Sequence, residues 1–273
     1  MLKLKVQLTL RQLTALTFLV FCLSMAFIGT SMADTLSAIK NRGELRVCHW
    51  PDYYGISYRS PRTGGLQGID IDMSKALADD LGVKLIYVET DFSKFMDVLE
   101  AGKCDIAMMG VGVTAPRQQR IDFSIPYLRS DIYFVTNKSN KNLQSVADLD
   151  QPGVIIAVQK GTIMEPFSKD FFKRATLSIV SKPGERELEV ETGRADAFAT
   201  DYPYSQRMLQ NTDWARLISP DRKLRTSDYA YAVRKGDPAW LAEVNAFVRR
   251  SQSDGRMEKA AQNNQLTPIL IRE

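Results

Sequence analysis

The chain has 273 residues, 44% of them apolar, with 36 basic and 32 acidic side chains and a formal charge of +4. Lys3, Lys5 and Arg11 precede Ala33 and no acid does, so the remainder holds 33 bases against 32 acids, a net charge of +1. A body so nearly neutral lacks the basic face that nucleic acid requires, and with His49 its single histidine no metal-ligand cluster can be assembled.

In chain order, residues 1–33 read as a signal peptide. A positive start leads into an apolar run over 13–28, and Ser31-Met32-Ala33 has the small-x-small form of a cleavage site. The run is nearly long enough to anchor in a bilayer, but the cleavage site favours export and removal. The expectation is a soluble, monomeric chain beginning at Asp34 in the periplasm of a Gram-negative cell. Its length of about 240 residues suits one large domain or two small ones. Cys22 lacks a lipoprotein pattern. Cys48 and Cys104 remain; an oxidising compartment allows a disulfide, and burial as small hydrophobes is equally natural.

Beyond the leader, short apolar runs alternate with helical patterns. Strands are expected over 45–49, 84–88 and 105–109, with helices over 70–81 (Met73, Leu77, Leu81) and 92–101 (Phe95, Met96, Leu99) between them. Further strands are expected over 154–158, 177–180, 196–200 and 229–233, and helices over 163–171, 186–191, 204–209 and 239–253. Such alternation predicts parallel α/β sheets with helices on their faces. The segment EAGKCDIAMMG from Glu100 is echoed by ETGRADAFATD from Glu191: a helix end, a glycine, a base, an aspartate and an apolar strand. The echo predicts two similar lobes.

Ligands of such sheets bind beyond the carboxyl ends of strands, and three ends carry polar chemistry. The first runs through Gly110 and Gly112 to Arg117. The second, Gly161-Thr162-Ile163, opens a helix whose first N–H groups attract anions. The third ends in Asp201. A guanidinium fork, free amides and a carboxylate together complement a zwitterion: Arg117 and the amides of Thr162 or Ile163 for a carboxylate, Asp201 for an ammonium. Two plainer readings stand beside this one. Arg117 could pair with Asp122, and Asp201 could cap the following helix. Trp50, Tyr53, Phe92, Met109, Met164 and Tyr202 are candidates for lining; the cleft would then suit an aromatic side chain or, through cation–π contact, a guanidinium.

The stretches LRVCHWPDYYG, GIDIDMSKALADDLG, AGKCDIAMMGVGVTAPRQQRIDFSIPY, VQKGT and GRADAFATDYP, in that order from about Lys40 to Gln265, resemble the bacterial extracellular solute-binding proteins of family 3. The resemblance implies a type II periplasmic binding protein fold. Lobe 1 would comprise residues 43–130 plus 227–273 and lobe 2 residues 135–222, joined by crossover strands near 132–136 and 223–229. It also implies ligand-binding roles: Arg117 for the α-carboxylate, the amides of Thr162 and Ile163 beside it, Asp201 for the α-ammonium, Tyr53 as a cover, and Phe92 as a hydrophobic residue opening the second helix. Members often carry serines where this chain has Gly110 and Gly112, so it has no hydroxyl to offer a ligand at either position.

The function implied is capture of an amino acid or similar small carboxylate for an inner-membrane ABC permease, with no cofactor and no catalysis. No G-x-S-x-G, phosphate loop or metal cluster is evident in the sequence. Two other classes compete. One is an accessory or sensory subunit docking on a membrane or periplasmic protein. The other is a cyclohexadienyl dehydratase-like enzyme in which Glu89, Asp91 or Asp201 expels a hydroxyl while Arg117 holds a carboxylate.

Overall fold

The structure, a computed structural model, describes residues 34–182 and 184–272; the expected leader and its cleavage site lie outside them. Helix α1 (Thr35–Arg42) starts where the Asp34 carboxylate accepts the Ser37 N–H at 3.0 Å, and it ends at Gly43 in the left-handed region. Strand β1 (Glu44–His49) follows, then three short strands, β2 (Asp52–Tyr53), β3 (Ser57–Arg59) and β4 (Leu66–Gln67), which form a small antiparallel sheet of their own. Next come α2 (Ile69–Leu81), β5 (Lys84–Glu89), α3 (Phe95–Glu100), β6 (Ile106–Gly112), α4 (Ala115–Gln118), β7 (Ile121–Phe123) and β8 (Leu128–Ser130). The second half holds β9 (Ile132–Asn137), β10 (Ile155–Gln159), α5 (Met164–Phe171), β11 (Thr176–Val180), α6 (Glu185–Glu191), β12 (Ala197–Asp201), α7 (Tyr202–Asn211) and β13 (Ala215–Ile218). The chain then returns through β14 (Ser227–Arg234), α8 (Pro238–Ser253) and α9 (Arg256–Asn263).

Two larger sheets result, with the same plan. In the first the order is β5-β1-β6-β14-β7, with β8 also on β14; in the second it is β11-β10-β12-β9-β13. Each sets three parallel strands beside an antiparallel one. The central strands β6 and β12 are buried along their whole length, which is why they read as continuous apolar runs rather than alternating ones. The repeated glycine-base-x-aspartate turn has the same geometry in both sheets. Asp105 accepts the Arg46 N–H at 2.8 Å and Asp196 accepts the Ile155 N–H at 2.8 Å, each tying the turn to the neighbouring parallel strand.

The disulfide left open by the sequence is formed: Cys48 in β1 joins Cys104, just before β6, across Cα atoms 5.6 Å apart. The expected helix over 92–101 is shorter, beginning at Phe95, so Phe92 sits in the turn before it. Of the two segments expected to cross between lobes, 132–136 is strand, whereas 223–226 is irregular and strand pairing starts at Ser227. Asp131 holds the two together, its carboxylate accepting the Ile132 and Arg225 N–H groups at 2.8 Å and that of Leu224 at 3.1 Å.

Candidate functional site

The carboxyl ends of β1, β6, β10 and β12 converge on a cavity with about 350 Å³ of empty space, its mouth included. Only about 30 Å³ of it admits the centre of a water-sized sphere, so the walls stand close together. Its wall contains ten of the twelve residues nominated from the sequence, Trp50, Tyr53, Phe92, Gly110, Gly112, Arg117, Thr162, Ile163, Met164 and Asp201. Met109 and Tyr202 are not part of that wall. Met109 is fully buried in the core of the first sheet, and the Tyr202 ring packs edge-on to Tyr133 instead. Arg186, Thr200 and Tyr229 line it as well and were not foreseen.

Arg117 reaches the cavity because Thr114, at the end of β6, turns the chain into the one-turn helix α4 with a proline in its first turn. The guanidinium is 6% exposed. Its Nη1 donates to the Gly112 carbonyl at 2.7 Å and its Nη2 to the Gly161 carbonyl at 2.9 Å, so it joins the end of β6 to the turn after β10. The rings of Phe92 and Phe95 lie 5.7 and 5.4 Å from it. Asp122 is not its partner; that carboxylate accepts from the Gly236 N–H and lies 3.7 Å from the Lys235 ammonium. Among the described residues no carboxylate pairs with Arg117, and burial pulls its pKa down to about 10. A buried, hydrogen-bonded cation without a counter-charge is the chemistry of an anion site.

Asp201 ends β12 and caps α7, its Oδ1 accepting the Tyr204 N–H at 3.2 Å. The capping alternative is therefore correct as far as it goes. The other oxygen, Oδ2, accepts from the hydroxyls of Tyr53 and Tyr229, the latter at 2.5 Å. Burial, and then the carboxylate itself, pushes both phenols well above their ordinary pKa, so they act as donors. Tyr53 comes from β2 and Tyr229 from β14, so one carboxylate of the second sheet is held by two residues of the other half of the molecule. At the turn after β10 the Thr162 N–H leans on the Gln159 carbonyl at 3.4 Å, and the Ile163 N–H has no acceptor among the described residues.

The two glycines of β6 have a packing reason. A Cβ on Gly110, whose φ is +62°, would stand 2.8 Å from Cε1 of Tyr53; one on Gly112 would stand 2.8 Å from Cγ2 of Ile163. Serines there would displace the tyrosine that reaches Asp201 and the isoleucine that closes over β6. The strand thus forgoes two hydroxyls, and the opposite wall comes closer in return.

Arg186, at the start of α6, is 4% exposed. Its Nε donates to Glu187 at 3.1 Å and its guanidinium lies 3.9 Å from the centre of the Tyr204 ring. Burial opposes its charge, but Glu187 outweighs that and holds its pKa above the ordinary arginine value. In the sequence it escapes notice, because an arginine in an acidic helix looks like a solvated face. The only signal was its place two residues beyond Gly184, in the turn that follows a strand.

Of the three carboxylates that could serve an elimination, Glu89 is exposed and paired with Arg59, and Asp91 caps the turn at Ser93 with its Oδ1 2.8 Å from that N–H. Neither belongs to the cavity wall; Asp201 does.

A sequence profile of the bacterial extracellular solute-binding proteins, family 3, matches residues 45–264. The chain is 29% identical over 241 residues to a cyclohexadienyl dehydratase of Pseudomonas aeruginosa, covering 87% of this chain and 89% of that one. Among solved structures it is similar to an ancestral amino acid-binding protein described as a precursor of cyclohexadienyl dehydratase, with 34% identity, a TM-score of 0.78, and coverage of 85% of this chain and 99% of the other. It is also similar to an amino acid ABC transporter substrate-binding protein of Streptococcus pneumoniae bound to L-arginine, with 28% identity, a TM-score of 0.77 and the same coverage.

Proposed function

The chain belongs to the bacterial extracellular solute-binding proteins of family 3, and on that premise we propose that it captures an amino acid or similar small carboxylate between its two sheets and presents it to an ABC permease. The observation that carries this reading is Arg117, buried without a carboxylate partner among the described residues in the wall of a cavity that Asp201 also lines. The ligand carboxylate would take the remaining guanidinium donors and the Ile163 N–H; its ammonium would meet Asp201. Residues 43–130 with 227–273 form one lobe and 135–222 the other, and they close as a monomer about the crossovers that Asp131 joins. A thermal-shift screen of the chain from Asp34 onward tests this. Saturation at a hundredfold the Kd should add roughly 2.7 kcal/mol of stability, and absence of any response across amino acids and small carboxylates would sink it.

A second reading has one observation in its favour, the likeness to a dehydratase. Expelling a hydroxyl as water needs a proton donor, and Asp201 here accepts three hydrogen bonds and donates none. That arrangement supports binding over elimination. Release of an aromatic product from prephenate or arogenate would reverse the order.

A further inference from the structure

Three polar groups in the cavity wall take no part in the clamp that Arg117 and Asp201 would form. The Trp50 Nε1 and the Thr200 Oγ1 are both buried without a hydrogen-bond partner among the described residues, in residues 5% and 0% exposed. Arg186 uses its Nε on Glu187 and points its Nη1 toward the Ala199 carbonyl at a long 3.5 Å, while its Nη2 has no partner among the described residues. An indole N–H and a guanidinium can only donate, and the threonine hydroxyl can do so. Buried polar groups left unpaired cost stability and call for an explanation. All three residues line one cavity, so one explanation serves them all: they await acceptors that the ligand brings.

We infer that the ligand carries an oxygen acceptor, a carboxylate or an amide, besides its α-carboxylate, and that Arg186, Thr200 and Trp50 select for it. The inference rests on the amino-acid-binding reading above. It also works by exclusion. Arg186 is held over Tyr204 by the ring and by Glu187, so it cannot swing away. A ligand with a cationic side chain would bring a like charge beside a fixed guanidinium. Of the aromatic rings in the wall, Phe92 already faces the Arg117 guanidinium at 5.7 Å. The cavity thereby differs in chemistry from one built to hold L-arginine.

Calorimetry on the chain from Asp34 onward, with L-glutamate, L-glutamine, L-norvaline, L-arginine and L-lysine, tests this. Norvaline has the chain length without the acceptor. Glutamate or glutamine should bind at least tenfold more tightly than norvaline, and arginine and lysine should bind most weakly. Thr200→Val and Trp50→Phe, which each remove a donor, should weaken the acceptor-bearing ligand several-fold and norvaline by clearly less. Arg186→Gln should narrow the gap between glutamate and arginine. Equal or tighter binding of norvaline, arginine or lysine overturns the inference while leaving amino-acid binding intact. Failure of all five, and of small carboxylates generally, overturns the binding reading as well.

Discussion

Replacing Arg117 by methionine separates a ligand clamp from a structural bridge, because methionine keeps the apolar contact with Phe92 and Phe95 and removes only charge and donors. Two hydrogen bonds to the Gly112 and Gly161 carbonyls disappear; at about 1.5–3 kcal/mol each for a charged donor they represent roughly 3–6 kcal/mol. Against this, burial has lowered the guanidinium pKa from 12.5 to about 10, a desolvation burden of roughly 3 kcal/mol at about 1.4 kcal/mol per pKa unit that the variant escapes. Folding stability should therefore fall by no more than about 3 kcal/mol. Ligand binding has no such offset. A carboxylate brought into the cavity would meet no cation, a loss of about 2–5 kcal/mol, or about 30-fold to several thousand-fold in Kd. Arg117→Lys should recover part of this, since an ammonium cannot reproduce the planar fork. Calorimetry with the best ligand from the screen, together with a melting curve, reads both effects. A methionine variant that binds as tightly as the parent would refute the clamp, whatever its melting temperature.

Asp70 is fully buried beneath β6, accepting the Gly110 N–H at 2.7 Å and the Tyr127 hydroxyl at 2.8 Å, and burial pushes its pKa up to about 7 despite those two bonds. Because the folded value exceeds the unfolded one, its contribution to stability is fully present below about pH 4 and is lost as pH rises through about 7; Asp70→Asn should flatten that part of a melting-temperature profile, and parallel profiles would count against it. Gly112→Ala places a methyl 2.8 Å from Ile163 Cγ2 and should weaken ligand binding, with Ile163→Ala, which removes that Cγ2, restoring part of it; no rescue in the double variant means the contact does not govern closure. Reducing the Cys48–Cys104 bond, which closes 56 residues of chain, should cost roughly 4 kcal/mol by loop-entropy arithmetic, and an unchanged denaturant midpoint under reductant would contradict this. Asp201→Asn should weaken ligands with a free ammonium more than their deaminated analogues, and equal losses for both would remove Asp201 from that role.

The alternation of elements was legible because strands buried on both faces leave unbroken apolar runs, as at 105–109 and 196–200, and because Gly102 and Gly193 end helices in the left-handed region. The cavity wall was legible for a related reason: a parallel sheet puts its polar chemistry at strand ends, where Arg117, Thr162 and Asp201 stand out against apolar neighbours. What the sequence hid depends on distance. Nothing local tells that Tyr229 reaches Asp201 from β14, or that Tyr53 meets it from β2 across two sheets. The little sheet β2–β4 was missed because two- and three-residue strands carry no period. Gly110 and Gly112 looked like missing hydroxyls; only the positions of Tyr53 and Ile163 show them as clearances. Arg186 was invisible because burial of a charge cannot be read from a run of acidic helix.

The place of β14 has a consequence for how the molecule assembles. The second sheet is made from one continuous stretch, β9 to β13, so its partners are available to one another as soon as that stretch is present. The first sheet is not complete without β14, which pairs with β6, β7 and β8, strands separated from it by the whole second sheet. Closing so long a loop carries its entropic penalty before any strand contact offsets it, and pairings distant in sequence form slowly. The second sheet should therefore protect its amides from exchange first during refolding, and the first only when the C-terminal strand docks. The cavity wall, to which β14 contributes Tyr229, is therefore complete only after the second sheet has formed.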